Sequence, residues 1–237
     1  MVQECNAIAA GSAFGTVSDV SLRAQNKALV DATVAHFGRL DVLVLNAGIS
    51  AGAPFEEVTE EGLDSFESIQ RTNYFGPVFA ARYALPELIK HQGKIVVISS
   101  VFGIHGGPTR TFYAGSKFAL HGFFESLRLE LASKNVSVTM ICPGPVATEI
   151  SRTRVGPDGQ RATTGHFDMN QALSPELAAQ YITEAFQKSK RLITFSYTTA
   201  LLYKLQNIAP AFWDILFLRG MRKLGMLEDS KTGHLEM

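Results

Sequence analysis

Residues 94–100 read KIVVISS, a short run of strand-forming residues that ends in two serines. Its Val and Ile residues follow one another without alternation, which is typical of a strand buried on both faces of a parallel sheet. Similar runs occur at residues 41–45 (DVLVL) and residues 136–141 (VSVTMI). Segments long enough to form helices separate the three runs. We therefore predict βαβ crossovers and a doubly wound parallel sheet of the α/β class.

Apolar residues at helical spacing and capping signals predict the other elements. Helices are predicted for residues 21–37, 63–91 and 113–132 and from Ser174 onward, and short strands within residues 11–20 and at residues 192–195. The second of these helices contains Pro77, which has no backbone N–H to donate to the Asn73 carbonyl, so the helix should kink there. The freed carbonyl either holds a water beside an active site or marks a kink and nothing more.

The composition indicates one globular domain over residues 1–237, with 46% hydrophobic and 19% charged residues. The 22 basic and 22 acidic residues cancel, so nothing favours a nucleic-acid partner. Cys5 and Cys142 are too few for a disulfide framework or a four-thiolate zinc site, so we expect no metal and a reducing compartment. We also expect no signal peptide and no spanning helix.

The strongest chemical signal is Tyr113-Ala-Gly-Ser-Lys117, which places a phenol and an ammonium on the same face of a predicted helix. An ammonium beside a phenol should lower the phenol pKa, and such a Tyr can act as a general acid or base. The pair alone could equally be an exposed helical pair. Ser99 and Ser100 lie at the carboxyl end of the KIVVI strand, where open α/β sheets bind their ligands. A hydroxyl there could polarise a substrate oxygen, or it could only satisfy the turn backbone.

Two further segments should meet the same edge of the sheet. Asn46-Ala47-Gly48 follows the DVLVL strand directly, and small residues there let a flat ligand approach the backbone. Residues 143–148 (PGPVAT) follow the third strand and expose backbone groups. Each segment taken alone is also an ordinary turn.

In this order and spacing, NAG, Asn73, Ser100, Tyr113-x-x-x-Lys117 and PGPxxT resemble the short-chain dehydrogenase/reductase family. The resemblance runs from about Val17 to about Phe195. Within the family it points to the branch with 11β-hydroxysteroid dehydrogenase type 1 and dehydrogenase/reductase family member seven. The passages ISSVFG, YAGSKFALHGFFESLRLEL and ICPGPVATEI carry this match.

The resemblance implies an oxidoreductase that transfers hydride between NADP(H) or NAD(H) and a carbonyl or alcohol. Tyr113 would exchange the proton, Ser100 would orient the carbonyl, Lys117 would hold the nicotinamide ribose and lower the Tyr113 pKa, and Asn73 would anchor a water. The implied cofactor site consists of Asp19, Val20, Asn46, Ala47, Gly48, Tyr113, Lys117, Pro143, Gly144, Val146 and Thr148. The branch also implies a lipophilic small-molecule substrate such as a steroid or a retinoid.

The sequence departs from the family pattern at its beginning. Family members start with a strand, a TGxxxGIG turn and a helix that cradle the pyrophosphate, and residues 9–15 lack that spacing. We therefore hypothesise an N-terminally truncated enzyme that lacks the first βαβ unit, in which the DVLVL strand lies at an exposed edge. The competing hypothesis is a non-catalytic binding or regulatory scaffold that has lost its pyrophosphate site.

Three segments carry weaker predictions. Residues 150–172 match the family's substrate lid in position, and residues 197–237 form a C-terminal extension. Residues 201–223 combine apolar and basic residues, so they either lie on a membrane or form a helix that closes the pocket or contacts a subunit. In the family the two long helices pair across a homodimer interface. The implied location is the cytoplasm or the surface of the endoplasmic reticulum membrane.

Overall fold

The computed structural model describes residues 1–163, 172–188 and 190–223, and the chain divides into two compact units, Met1–Phe195 and Ser196–Met237. The strands are β1 (Val42–Leu45), β2 (Lys94–Ile98), β3 (Ser137–Cys142), β4 (Thr153–Val155), β5 (Arg161–Thr163) and β6 (Leu192–Thr194). The helices are α1 (Val2–Ile8), α2 (Arg23–Phe37), α3 (Glu60–Gln70), α4 (Gly76–Lys90), α5 (Thr111–Glu130), α6 (Glu149–Arg152), α7 (Pro175–Lys188), α8 (Tyr197–Ile208) and α9 (Pro210–Lys223).

The main sheet has the strand order β1-β2-β3-β6, and each neighbouring pair is parallel. Ile95 lies beside Leu43 on one side and Val138 on the other, so the three predicted apolar runs are adjacent strands. Long helices connect them, because parallel strands need a crossover connection. The predicted α/β class and parallel sheet are confirmed.

Helices cover both faces of this sheet. On one face, side chains of α4 and α5 pack on the strands, with Leu88 and Phe124 fully buried against Ile95 and Val97. On the other face, Ala185 of α7 packs with side chains of β2 and β3, including Ile141. Side chains alternate along a strand, so a strand covered on both faces must be apolar at every position. That requirement explains the unbroken KIVVI and SVTMIC runs.

Strand β1 is less buried than its sequence predicts. Leu45 faces the core at 7% exposure, whereas Val44 on the opposite face is 43% exposed. Burial of this strand on both faces is therefore a wrong prediction. In the described residues β1 pairs with β2 alone, so it forms an edge of the sheet, as expected for this strand.

Residues 11–20 form no strand, so that prediction is also wrong. The Asn6 side chain instead binds the backbone of Ala13 on both sides: Oδ1 accepts from the Ala13 N–H at 2.8 Å and Nδ2 donates to its carbonyl at 3.1 Å. These bonds occupy the groups that a strand partner would need. They also attach the segment to α1, a helix that the periodicity did not predict.

The long second helix is interrupted where its sequence predicts. Between α3 and α4 the backbone forms a π-helical turn over Arg71–Phe75, and the Gly76 N–H reaches back to the Arg71 carbonyl. A π turn inserts one residue into the helix, which is one way to accommodate Pro77 and its missing N–H. The turn carries Asn73 into the interior, where it is fully buried.

The second unit consists, in its described part, of α8 and α9. Several apolar side chains of these helices are exposed, among them Leu201 at 66% and Ile208 at 83%. Within the described residues, no helix has the length and hydropathy needed to cross a bilayer.

Candidate active site

The carboxyl ends of β1, β2 and β3 bring the predicted site segments together. Ser99 continues the ladder, with its N–H donating to the Ile141 carbonyl at 2.8 Å. Val101 then donates to the Pro143 carbonyl at 3.1 Å. These bonds hold the loop after β2 against the loop after β3, at the edge where parallel sheets bind ligands.

Ser100 lies two residues after the end of β2 and caps a short 3₁₀ turn. Its hydroxyl accepts a hydrogen bond from the Phe102 N–H at 3.2 Å, which fixes the side chain at the start of the turn. The same hydroxyl lies near enough to the Tyr113 phenol to lower its pKa. Ser100 thus satisfies the turn backbone, and its role in polarising a substrate oxygen stays a prediction.

Lys117 lies one helical turn after Tyr113 and points inward beneath it. Its side chain is 3% exposed, and Nζ donates to the Ile98 carbonyl at 3.1 Å and lies 5.8 Å from the centre of the Tyr113 ring. An ammonium has three N–H donors. The contacts within the described chain leave two of them for a ligand.

The pKa values of the pair differ from the prediction. Burial raises the pKa of Tyr113, while the nearby Ser100 hydroxyl and the Arg110 charge lower it and only partly offset burial. Burial also lowers the pKa of Lys117 from its ordinary value to about 8. The expected lowering of the Tyr113 pKa by Lys117 is therefore wrong for this arrangement. Burial dominates because a phenolate away from water loses its solvation.

Asn73 is linked to the site through its side chain. Oδ1 accepts from the Ile49 N–H at 2.8 Å, and Nδ2 donates to the Ile49 carbonyl at 2.9 Å and to the Ser116 hydroxyl at 2.9 Å. The Ser116 hydroxyl donates to the Tyr113 carbonyl at 2.7 Å. Asn73 thus joins the loop after β1 to the helix that carries Tyr113. The predicted water at its backbone carbonyl stays a prediction.

Gly48 lies directly over Asn73 and Lys117. A Cβ at this position would lie 3.2 Å from Asn73 Oδ1 and 3.5 Å from Lys117 Nζ. The preceding residues Asn46 and Ala47 are exposed at the end of β1. The structure therefore brings the NAG segment, Asn73 and Lys117 to one place.

The other predicted cofactor residues occupy two places. Asp19 is exposed and accepts a hydrogen bond from the Ser21 N–H at 2.9 Å, at the start of α2. Val20 packs against Gly76, where a Cβ would lie 2.8 Å from the Val20 carbonyl. Pro143, Gly144, Val146 and Thr148 follow β3 and are partly buried, and Val146 bridges to Leu173.

A cavity of about 190 Å³ opens beside Gly48. It is lined by Gly48, Ile49, Ser50, Glu149, Ile150, Thr153, Arg154, Val155 and Arg161. Most of these residues belong to the first part of the predicted lid, where β4 and β5 form an antiparallel pair. Residues 164–171 of that lid lie outside the described residues. For these residues the substrate lid stays a prediction.

The periodicity and motifs missed a second layer of polar residues behind Lys117. The His121 ring nitrogen Nε2 lies 3.0 Å from the Ser99 hydroxyl and 3.6 Å from the Cys142 sulfur. Burial lowers the pKa of His121 to about 4 and raises the pKa of Cys142 to about 12. Both groups are therefore neutral at neutral pH, and Lys117 lies in an uncharged surrounding. A His and a Cys far apart in sequence give no signal of this contact.

Arg110 was also missed. Its Nη1 donates to the Ala51 carbonyl at 3.2 Å, and its guanidinium lies 5.7 Å from the centre of the Phe102 ring.

No group of three or more His, Cys, Asp or Glu side chains that could hold a metal occurs in the part of the chain that the structure describes.

Comparison with known proteins gives consistent matches. A family model of short chain dehydrogenases matches residues 1–157. The chain is 40% identical over 211 residues to 11-beta-hydroxysteroid dehydrogenase A of Arachis hypogaea, covering 84% of this chain and 58% of that protein. It is 36% identical over 190 residues to dehydrogenase/reductase SDR family member 7B of Bos taurus, covering 79% and 57% respectively. The chain thus spans less than two thirds of the length of these relatives.

The fold has a match of its own among solved structures. A short-chain dehydrogenase from Streptomyces avermitilis aligns with a TM-score of 0.72 at 22% identity, covering 96% of this chain and 85% of that chain. Identity at this level shows a shared fold. Together with the family match over residues 1–157, it confirms the resemblance that the motifs implied. This chain belongs to the short-chain dehydrogenase family.

Proposed function

We propose that this protein is an oxidoreductase that transfers hydride between NADP(H) or NAD(H) and a carbonyl or alcohol substrate. The observation that carries the proposal is the placement of the Ser100 hydroxyl close to the Tyr113 phenol, with the buried Lys117 Nζ 5.8 Å from the centre of the Tyr113 ring. Family membership supports an oxidoreductase. A substrate oxygen bound between the two hydroxyls would be oriented by Ser100 and would exchange its proton with Tyr113.

The residues around Gly48 fit the nicotinamide ribose. The missing Cβ of Gly48 leaves space above Asn73 and Lys117, and Lys117 has N–H donors that match ribose hydroxyls. Asn46 to Gly48, Tyr113, Lys117 and the 143–148 segment would hold the nicotinamide half, and Asp19 with Val20 would meet the adenine half. When bound, the nicotinamide would supply or accept the hydride.

The substrate is proposed to be a lipophilic carbonyl or alcohol, such as a steroid or a retinoid. The name of the Arachis hypogaea relative supports a steroid. The small cavity beside Gly48 supports entry from the side of β4 and β5.

The test is turnover of a panel of ketones, aldehydes and their alcohols with each nicotinamide cofactor. Tyr113→Phe removes the hydroxyl and keeps the ring contact with Phe102, so we expect kcat to fall by about two to four orders of magnitude with cofactor affinity unchanged. Glu130→Gln, an exposed change at the far end of α5, serves as the control. Cofactor binding without any turnover across the panel would favour the scaffold hypothesis instead.

We also propose a homodimer formed by the outer faces of the long helices. Exposed apolar side chains support it, including Phe118 at 44% and Leu129 at 65% on α5. Light scattering after gel filtration should give twice the chain mass. Phe118→Glu should shift the protein to the monomer, and a monomeric parent protein would contradict the proposal.

Peripheral membrane contact through residues 201–223 is the remaining proposal. Exposed Leu201, Ile208 and Phe212 support it, since apolar side chains on one segment can enter a bilayer interface. Flotation with anionic vesicles should recover the protein in the lipid fraction. A double change of Ile208 and Phe212 to Ser should reduce recovery, and recovery equal to a vesicle-free control would contradict the proposal.

A further inference from the structure

Two guanidinium groups lie side by side at Gly52, next to the candidate active site. A Cβ built at Gly52 would lie 3.0 Å from Nη1 of Arg110 and 3.0 Å from Nη1 of Arg154. Burial lowers the pKa of Arg110 and the Arg154 charge lowers it further, which agrees with this closeness. Like charges held this near each other repel, so their placement needs a compensating group.

Among the described residues, no carboxylate supplies that compensation. In the residues that the structure describes, neither Arg110 nor Arg154 forms an ion pair, and Arg154 donates no side-chain hydrogen bond. Arg110 uses Nη1 toward Ala51 and Ser50, which are neutral acceptors. A guanidinium carries five N–H donors in a planar fork, so most of the donors here are available to an anion.

The arginine pair lies beside the cavity at Gly48. Arg154 lines that cavity, and Arg110 Nη1 lies 3.5 Å from the hydroxyl of Ser50, another lining residue. Arg161 and Glu149 line the same cavity. Gly48 is also part of the lining and lies against Lys117 and Asn73. The positive pair and the proposed reaction centre thus border one cavity.

We propose that Arg110 and Arg154 bind an anionic group, a carboxylate or a phosphate, at the end of the substrate opposite its reacting carbonyl. The inference rests on the proposed function and narrows its substrate to a lipophilic carbonyl compound with an acidic end. Paired arginines suit such a group because each guanidinium can donate two parallel hydrogen bonds to two oxygens of the anion.

The test compares probes that differ in charge alone. Methyl-ketone carboxylates of increasing chain length are assayed beside their methyl esters and beside ketones of matched length that end in a phosphate monoester. We expect kcat/KM for a charged probe to exceed that of its ester by at least about ten-fold. Of the carboxylate and phosphate probes, the one with the higher kcat/KM identifies the anionic group that the arginines bind.

Arg154→Met is the deciding variant, because Arg154 makes no polar contact in the described chain that its loss would disturb. It should remove the preference for charged probes, so that a carboxylate probe and its methyl ester have about equal kcat/KM. Arg82→Met, an exposed change on α4, removes the same charge elsewhere and should leave the preference intact. Equal kcat/KM for charged and neutral probes, or a preference that survives in Arg154→Met, overturns the inference.

A binding measurement keeps this result separate from the proposed reaction. Calorimetric titration with the carboxylate probe should give a Kd that rises with ionic strength, and Arg154→Met should abolish this dependence. Binding without turnover of any probe would contradict the oxidoreductase proposal and retain the anion site. Turnover of the esters without charge-dependent binding would contradict the anion site and retain the oxidoreductase proposal.

Discussion

Replacing Lys117 by Met should make the protein more stable at neutral pH, although it removes a residue of the candidate site. Lys117 is 3% exposed, and burial lowers its pKa from 10.5 to about 8, with His121 and Cys142 neutral around it. This depression corresponds to about 3 kcal/mol of destabilisation at pH 7. Methionine removes the charge and keeps the length, and losing the bond to Ile98 costs about 1 kcal/mol. We expect a net gain of about 2 kcal/mol.

The sign of the pH dependence follows from the direction of the shift. The unfolded chain binds this proton up to about pH 10.5, whereas the folded chain releases it near pH 8. The destabilisation is therefore complete below pH 8 and fades as the pH rises toward 10.5. The advantage of Lys117→Met should be largest at pH 7 and should fall to about zero near pH 10.

Urea unfolding followed by circular dichroism at both pH values measures this difference. Lys90→Met, at an exposed lysine on α4, is the control and should give the same small difference at both pH values. The expected destabilisation by Lys117 is refuted if Lys117→Met is less stable than its parent at pH 7, or if its gain in stability does not change with pH. Either result would mean that burial of the Lys117 ammonium does not destabilise the fold.

Three further changes test the geometry around this lysine. Asn73→Ala removes three buried hydrogen bonds and should lower the free energy of unfolding by about 2–4 kcal/mol, measured by urea titration; a loss below 1 kcal/mol would mean that the Ile49 loop does not depend on them. Ser116→Ala removes one acceptor for the Asn73 amide and should cost about 1 kcal/mol, clearly less than Asn73→Ala in the same assay. Gly103→Ala places a Cβ 2.4 Å from the Ser99 hydroxyl and should lower the free energy of unfolding by about 1–3 kcal/mol. Gly106→Ala, whose Cβ meets nothing within 4 Å, is its control. Equal melting temperatures of the two variants would show that the loop shifts to accept the methyl group.

Local patterns predicted most of the sheet and helices. The unbroken Val and Ile runs at 94–98 and 136–141 became adjacent central strands, because only residues apolar on both sides can occupy that position. Pro77 marked the break in the long helix, because it has no N–H to donate to the Asn73 carbonyl. The exposure of Val44 was not predictable, since it depends on which elements cover the outer face of β1.

The sequence by itself determined the fold class, the family and the candidate set Asn73, Ser100, Tyr113 and Lys117, since these depend on residue type and spacing along the chain. Only the tertiary structure decided the protonation behaviour of that set. Burial raises the pKa of Tyr113 and lowers that of Lys117. Their spacing in the sequence instead predicts a lowered Tyr113 pKa. The pairing of Arg110 with Arg154 at Gly52 likewise arose from folding. Desolvation and through-space charge depend on what surrounds a group in three dimensions, and spacing along a chain does not contain that information.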